Sequence, residues 1–406
     1  MNIILYSLIY PPDVCSNAYV FADLTEELLR RGHHVTVITT TPHYGGSSEQ
    51  LHNGKKRWYK TSTFHEAKVY HICVGSEKGG IAQRLDTYAR FHHYAVKLLN
   101  VEGVKADVIL SQTPPPILAG FTTTRLGKRL SAKTVFILQD IWVDNLFNRK
   151  KIGNTIYKLL CSIEHKVYKK PDAIVTLTEE MAEAVEKKLE NKDILHIIPN
   201  PVNTEIYYPR KRTYFLRKKY KIEENDFVAS YVGNLAAAQN LYPLIEYAKN
   251  TQNIKVIIAG NGNKEKEYRA AAAGCDRIIF LGYISREETT EVNTVSDVCM
   301  VMLSGYVSRN CLPSKLPTIM AMGKPIALCC SPGAGLAEYV EKNQIGLTSN
   351  IESQTSFIQM MDTFRMQKDL CEAFGNNSYN CAIRDFSLST IVDRYEELFR
   401  NITYNP

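Results

Sequence analysis

Pro313, Ser314 and Lys315 stand just ahead of an apolar run, Leu316, Ile319, Met320 and Met322, which Gly323 stops; Lys324-Pro325 then leads into Ile326-Ala327-Leu328. That order reads as loop, short helix, glycine stop and buried strand. A serine hydroxyl, a lysine cation and free N–H groups at a helix start are the elements that a diphosphate needs together. A solvated lysine beside a serine cap would look the same in sequence.

Three other stretches carry similar potential. Gly233-Asn234-Leu235 follows the apolar run Phe227 to Val232, and Gln239-Asn240 is placed to open the next helix; glycine there lets a ligand approach the backbone. Gly260-Asn261-Gly262-Asn263 repeats the pattern after Lys255 to Ala259. Ser16-Asn17, in the loop after the first apolar run, either presents backbone N–H groups to a phosphate or sugar hydroxyl or simply caps a helix. In "LQDIWVDN", Asp140 and Asp144 flank Trp142. Two carboxylates at a strand end suit acid–base work, a grip on sugar hydroxyls, or a metal; equally, one caps the next segment while Trp142 fills the core. His92-His93 lack metal-ligand spacing and read as helix surface. The first loop has no Gly-x-Gly-x-x-Gly, which argues against a nicotinamide oxidoreductase.

The elements that must position these residues follow a regular rhythm. Asn2 to Tyr10 is an apolar run, Ala18 to Arg31 has helical spacing with Phe21, Leu24, Leu28 and Leu29 on one face, and Val35 to Thr39 is the next strand. The β-loop-α-β pattern recurs to about residue 189 and restarts at Phe227. Between the two series lies "HIIPNPVNTEIYYP", rich in proline and asparagine, then a basic segment from Arg210 to Lys221. The reading is two doubly wound α/β domains: 1–205, 206–385, and a last amphipathic helix, 386–406, returning to the first domain. Ligands of such sheets sit at the carboxyl ends of strands, and two of them facing one another make a cleft.

Composition bounds the rest. The chain has 406 residues, 45% hydrophobic and 22% charged, enough for two cores. Its net charge of +7 favours anionic small molecules or lipid head groups over nucleic acid, for which no motif is present. Ten cysteines without Cys-x-x-Cys spacing read as buried reduced thiols of a cytosolic protein. MNIILYSLIY has no basic start or cleavage site and reads as a strand, and no apolar stretch is long enough to span a membrane.

Taken in order, "RRGHHVTVITTTPHY", "DVILSQTPPPILAG", "QDIWVD", "IIPNPVNTEIYYP", "YVGNLAAAQNL", "FLGYISREE" and "PSKLPTIMAMGKPI" resemble the motifs of family 4 retaining glycosyltransferases of the GT-B fold, most closely the bacterial fucosamine- and fucose-transferase-like group of O-antigen and capsule assembly. The resemblance spans residues 1 to about 345. It implies that the second domain binds a UDP-sugar or GDP-sugar, UDP favoured, as donor substrate without a separate cofactor or catalytic metal. Thr318 would lie on the helix facing ribose and diphosphate, with Pro313, Ser314 and Lys315 at its mouth. Tyr283 and Ile284 would cradle the base, while Asn234 and Gln239 fall where many relatives place Arg and Lys. The family's Glu-x7-Glu positions are here Asn310 and Thr318, and its donor-sugar histidine position is Gln139-Asp140. More of the diphosphate charge then rests on Lys315, and Asp140 is the candidate for donor-sugar contact or acceptor activation.

The implied acceptor is a lipid-linked saccharide. Arg125, Lys128, Arg129 and Lys133, then Arg149, Lys150 and Lys151, then Lys158, Lys166, Lys169 and Lys170, make a basic face that suits either an anionic membrane or plain solvation. The expected location is cytoplasmic, peripheral on the inner face of the plasma membrane. A non-catalytic sugar-nucleotide binder and a sugar-nucleotide 2-epimerase are the competing readings; no carboxylate and histidine set matching the latter appears.

Overall fold

The structure is a computed structural model that describes residues 1–43, 51–75, 81–112, 116–148, 151–305 and 312–404. Readings that fall on Tyr44, Pro114, Pro115, Arg149, Lys150 and Asn310 lie outside them. The chain divides into two compact units, Met1–Pro201 with Leu388–Pro406, and Val202–Ser387.

The first unit is built on a nine-stranded sheet: β1 (Asn2–Ser7), β2 (His34–Thr40), β3 (His52–Asn53), β4 (Tyr59–Phe64), β5 (Ala67–Ile72), β6 (Val108–Gln112), β7 (Lys133–Ile137), β8 (Ala173–Thr176) and β9 (Leu195–Ile197), in the order β3-β4-β5-β2-β1-β6-β7-β8-β9. From β5 to β9 all pairings are parallel, while β3–β4 and β4–β5 are antiparallel. Its helices are α1 (Ser16–Arg30), α2 (Ile81–Glu102), α3 (Pro116–Leu130), α4 (Trp142–Asn148), α5 (Asn154–Tyr168) and α6 (Glu179–Glu186). β1 and β6 are buried along almost their whole length, which is why they read as continuous Ile, Leu and Val runs. The short antiparallel edge and α2 carry no clear signal in the sequence. In β4, Tyr-Lys-Thr-Ser-Thr-Phe buries only its first residue, Tyr59.

The second unit has six parallel strands, β10 (Phe227–Val232), β11 (Ile254–Ala259), β12 (Ile278–Gly282), β13 (Val298–Met302), β14 (Ile326–Cys330) and β15 (Gly346–Asn350), in the order β12-β11-β10-β13-β14-β15. Its helices are α7 (Tyr214–Lys219), α8 (Tyr242–Asn250), α9 (Glu265–Ala271), α10 (Arg286–Val295), α11 (Lys315–Ala321), α12 (Gly335–Lys342), α13 (Gln354–Met366) and α14 (Lys368–Phe386). The chain runs outward from β10 on one side and then returns to add β13 on the other. That reversal leaves a gap between the loops at their carboxyl ends, the usual place for a ligand. In the first unit the equivalent point lies between β1 and β6.

The final helix, α15 (Leu388–Tyr404), belongs to the first unit. Ile391, Val392, Tyr395, Leu398 and Phe399 join Phe21, Leu24 and Leu28 of α1 in one core. A charged seam closes the same contact: Arg31 meets Glu27 at 3.0 Å and Glu396 at 3.1 Å, and His33 meets Glu396 at 2.8 Å.

Among the described residues all cysteines are free, and burial pushes the Cys329 and Cys330 thiols up to about 12 and about 11. No helix among the described residues is long and apolar enough to cross a membrane.

Candidate functional site

Helix α11 is short, and its sequence fixes its direction. Leu316, Ile319 and Met320 insert among Val301 of β13 and Leu328 of β14, so the residue opening the helix is turned toward β10. On its far side α14 presses close: a Cβ on Gly375 would meet the Gly323 carbonyl oxygen at 2.5 Å. Lys315 is thereby held with its ammonium nitrogen buried, 3.7 Å from the centroid of the Tyr231 ring. A cation over an aromatic face is attracted by the ring quadrupole. Burial holds the Tyr231 phenol far above its ordinary range, so it stays neutral, and it donates to the Asn234 carbonyl at 2.8 Å.

The backbone around this ammonium is interlocked through glycines. Gly233 has φ 154°, and a Cβ there would lie 2.5 Å from Lys315 Nζ. Gly260 has φ 128°, and its Cβ would meet the Gly233 carbonyl oxygen at 1.9 Å. A Cβ on Gly262 would strike the Leu235 carbonyl at 2.1 Å. With side chains excluded, the loops after β10 and β11 bond directly: Leu235 N to Asn261 O at 2.9 Å and Lys264 N to Leu235 O at 2.9 Å. Gly260 N donates to Gly282 O at 2.6 Å, which brings in the β12 loop with exposed Tyr283 and half-buried Ile284. Ser304, after β13, donates from both N and Oγ to Ala238 O, at 2.8 and 3.0 Å. Four loops thus meet at the carboxyl edge of one sheet, around one buried cation.

Most second-unit candidates gather here, with corrections. Gly233, Asn234, Tyr283, Ile284, Pro313, Ser314, Lys315 and Thr318 belong to these loops or to α11. Gln239 and Asn240 do not open the next helix. They end a 3-10 turn, Ala237–Gln239, where Asn240 takes left-handed φ 32° and Leu241 becomes the cap of α8. The Gln239 Oε1 is buried and has no hydrogen-bond partner among the described residues. Ser314 is no side-chain cap: its backbone is already helical and its hydroxyl makes no capping bond, so it stays exposed. Tyr231 was missed, because a tyrosine inside an apolar strand looks like core. Its position two residues before a loop glycine was the available signal.

In the first unit Ser16 and Asn17 open α1, but the cap position is Cys15, and Ser16 is exposed. Asp140, half-buried, follows β7, two strands from β1. Asp144 is tied into an ion-pair network. It accepts from Tyr157 Oη at 2.7 Å and from Lys188 Nζ at 2.7 Å, and the same ammonium reaches Glu164 at 2.8 Å. Burial works against the Lys188 charge, yet the two carboxylates hold its pKa above the ordinary lysine value; burial raises Glu164. Trp142 is half-buried rather than core. His92 is not helix surface: it is buried and meets Tyr6 Oη at 2.7 Å, while His93 is exposed.

Two polar pairs at this edge were not foreseen. Buried Asp13, after β1, accepts from His43 N at 2.9 Å and lies 3.4 Å from His43 Nδ1. Gln139 and Asn200 exchange amide hydrogen bonds at 3.0 and 2.8 Å. Among the described residues no three His, Cys, Asp or Glu side chains converge to hold a metal.

Comparison with known proteins matches this architecture. Residues 18–206 fit the family model Glycosyltransferase Family 4, and residues 213–381 fit Glycosyl transferases group 1. The chain is 24% identical over 342 residues to a candidate colanic acid biosynthesis glycosyl transferase, WcaI, of Escherichia coli (strain K12), covering 80% of this chain and 82% of that one. It is 23% identical over 299 residues to a candidate glycosyltransferase, WbjE, of Pseudomonas aeruginosa, covering 72% of each. Among solved structures, sucrose-phosphate synthase from Thermosynechococcus elongatus superposes with TM-score 0.77 at 15% identity over all of both chains. Anabaena HepE in complex with UDP and glucose gives 0.69 at 15% identity over 97% of this chain and 98% of that one.

Proposed function

We propose that this chain, which belongs to the family 4 glycosyltransferases of the GT-B class, is a retaining enzyme that moves a hexosyl or N-acetylhexosaminyl group from a nucleotide diphosphate donor, UDP favoured, to a lipid-linked saccharide during surface polysaccharide synthesis. An N-acetylated deoxy-amino sugar of the kind handled by the fucosamine-transferase-like group fits the motifs. The observation that carries the reading is the Lys315 ammonium, fixed over Tyr231 where four loops meet at the carboxyl edge of the second sheet. The names of WcaI, for colanic acid biosynthesis, and of the HepE complex, with UDP, support the same direction.

The mechanism follows from where charge develops. Breaking the anomeric C–O bond puts negative charge on the departing diphosphate and oxocarbenium character on the sugar. Lys315, already desolvated and positioned, stabilises the phosphate side without reorganising. The glycines at 233 and 260 let phosphate oxygens approach backbone N–H groups, and Ser314 and Thr318 offer hydroxyls to diphosphate and ribose. Asn234, Gln239 and Asn240 line the donor, and Tyr283 with Ile284 face the base. The acceptor hydroxyl attacks on the face from which the diphosphate leaves, and its proton passes to a phosphate oxygen, so no protein nucleophile is required. Asp140 is assigned to donor-sugar contact or acceptor activation, and Ser16 with Asn17 to hydroxyl recognition.

The basic face of the first unit suits the acceptor's lipid surroundings. Arg125 and Lys128 lie on the exposed side of α3 with Leu118 and Phe121, and Lys158 and Lys166 on that of α5 with Ile156 and Leu159. A panel of UDP- and GDP-sugars assayed for hydrolysis and for thermal protection tests the function. UDP should raise the melting temperature, and Lys315→Ala should abolish most of that rise. Affinity without turnover across the panel would leave a sugar-nucleotide binder, and interconversion of donor sugars would leave an epimerase.

A further inference from the structure

The basic segment between the two α/β series has no part in the donor site. From Arg210 to Lys221 seven side chains are Lys or Arg and none is Asp or Glu. Two of these charges are spent internally, Arg212 on Asp297 at 2.7 Å and Lys219 on Glu291. The segment folds into α7, whose cap is Thr213, accepting from Leu216 N at 3.3 Å. Leu216 and Tyr220 anchor the helix on Ile222 and Val228. The opposite face then carries Lys211, Tyr214, Phe215 and Lys218 at spacings of three, four and seven residues. Tyr214 is 81% exposed and Phe215 72%.

A second segment continues this surface. Arg217 of α7 lines a cavity of about 750 Å³ together with Arg365, Met366 and Lys368, from the turn between α13 and α14. Phe227 and Pro325, at the beginnings of β10 and β14, line it too, so it lies at the amino edge of the sheet, away from Lys315. Met366 is 80% exposed. Of the carboxylates lining the cavity, Asp297 is paired with Arg212 and Asp226 accepts from Glu223 N at 2.8 Å; Glu224 and Glu372 face the same space. The cavity lining therefore carries both signs, and the attraction for anions rests on the exposed lysines beside it, Lys211, Lys218 and Lys368.

We propose that this amino edge of the second unit is a docking surface for an anionic lipid bilayer, with Tyr214, Phe215 and Met366 entering the headgroup region and Lys211, Lys218 and Lys368 lying over anionic phosphates. The inference rests on the lipid-linked acceptor proposed above and adds a foothold separate from the basic face of α3 and α5. Large apolar side chains kept in water beside exposed lysines are matched by an interface that is apolar below and negative above. Phe215 and Met366 have no polar group to offer a soluble polyanion, which favours the bilayer.

Flotation of the full chain with vesicles of phosphatidylcholine alone, or mixed with phosphatidylglycerol, tests the surface. The wild type should float with the mixed vesicles and do so less as salt rises. Tyr214→Ser with Phe215→Ser should lower partitioning about tenfold. Lys211→Glu with Lys218→Glu should lower it similarly and remove the preference for phosphatidylglycerol. All four substitutions sit at exposed positions, and melting curves with and without UDP should match the wild type. Unchanged partitioning in both variants, equal binding to both vesicle types, or heparin binding lost in parallel with no vesicle binding would overturn the proposal. If UDP fails to protect even the wild type, the donor-site reading fails while the vesicle result still stands on its own.

Discussion

The two units share one plan, a parallel sheet with a reversal of strand order, but they finish its carboxyl edge differently. In the second unit the loops after β10, β11 and β12 are brought together through Gly233, Gly260, Gly262 and Gly282, and the buried Lys315 ammonium sits among them. In the first unit the corresponding edge holds paired polar groups, the Asp13 carboxylate with the His43 backbone N–H and imidazole, and Gln139 with Asn200. All ten histidines and both tryptophans precede residue 202, and the second unit has neither type. The difference shows how one topology takes two chemistries. Bare backbone with a cation suits phosphate oxygens, whereas matched amides and a carboxylate–imidazole pair suit neutral hydroxyls.

The largest expected effect tests the cation. Lys315→Ala should lower kcat/KM about a thousandfold, or about 4 kcal/mol of transition-state stabilisation, because the departing diphosphate loses its preorganised charge. Steady-state kinetics with UDP-sugar donors would measure it. Lys315→Arg should recover little, since the planar guanidinium cannot occupy the slot beside Gly233. A loss under tenfold would mean that the diphosphate is held elsewhere, and the contrast between the two edges would lose its meaning.

Acid should distinguish the units next. Burial, opposed in part by the Thr40 carbonyl and aided by Lys60, lowers the pKa of His71 to about 4; burial does the same for His92. Each folded-state value lies below the ordinary histidine value of 6.5. Between those limits the folded unit binds fewer protons than the unfolded chain, so stability is whole above about pH 6.5 and falls as pH drops toward 4. The loss should reach about 2 kcal/mol for each histidine by pH 5. Trp58 and Trp142 report the first unit alone, while labelling of buried Cys299 and Cys329 reports the second. Tryptophan emission should therefore change at a higher pH than thiol accessibility, and His71→Asn should move only the former. Coincident midpoints would count against a unit-specific response.

A somewhat smaller effect is expected at Lys188. Removing it leaves Glu164, fully buried, and Asp144 facing one another with only tyrosine hydroxyls to share. Lys188→Met should cost about 3 kcal/mol, read by urea denaturation followed through tryptophan emission. The cost should shrink as pH falls and Glu164 takes up a proton. UDP protection of the second unit should survive. A variant as stable as the wild type would show that Asp144 is freer than its contacts suggest, and would reopen it as a chemical group.

How much of this was legible in the sequence depended on distance along the chain. Parallel strands such as β1, β6 and β14 announced themselves, because burial on both faces leaves unbroken apolar runs. The short helix after Ser314 was legible from local spacing alone. What stayed hidden were partnerships fixed by the fold: Lys188 reaches Asp144 across 44 residues, and His92 reaches Tyr6 across 86. No local pattern marks those residues as different from surface charges. Tyr231 was concealed for another reason, since strand burial and a cation platform demand the same aromatic side chain. The β3–β4 edge was missed because exposed His52-Asn53 and half-exposed Lys, Thr and Ser give neither alternation nor an apolar run.

The smallest effect bears most directly on the first unit's edge. Asn200→Ala removes both amide bonds to Gln139 and leaves a half-buried amide unpaired. A loss of about 1–2 kcal/mol in stability is expected. Stability alone would not reveal function, because any paired amide behaves so. The informative readout is the split between substrates. Gln139 adjoins Asp140, so loosening it should raise KM for a saccharide acceptor while leaving UDP thermal protection at its wild-type value. Asn200→Asp should restore only part of the effect, because a carboxylate can accept from Gln139 Nε2 but cannot donate back. If KM for the acceptor is unmoved while stability falls, the pair is scaffolding.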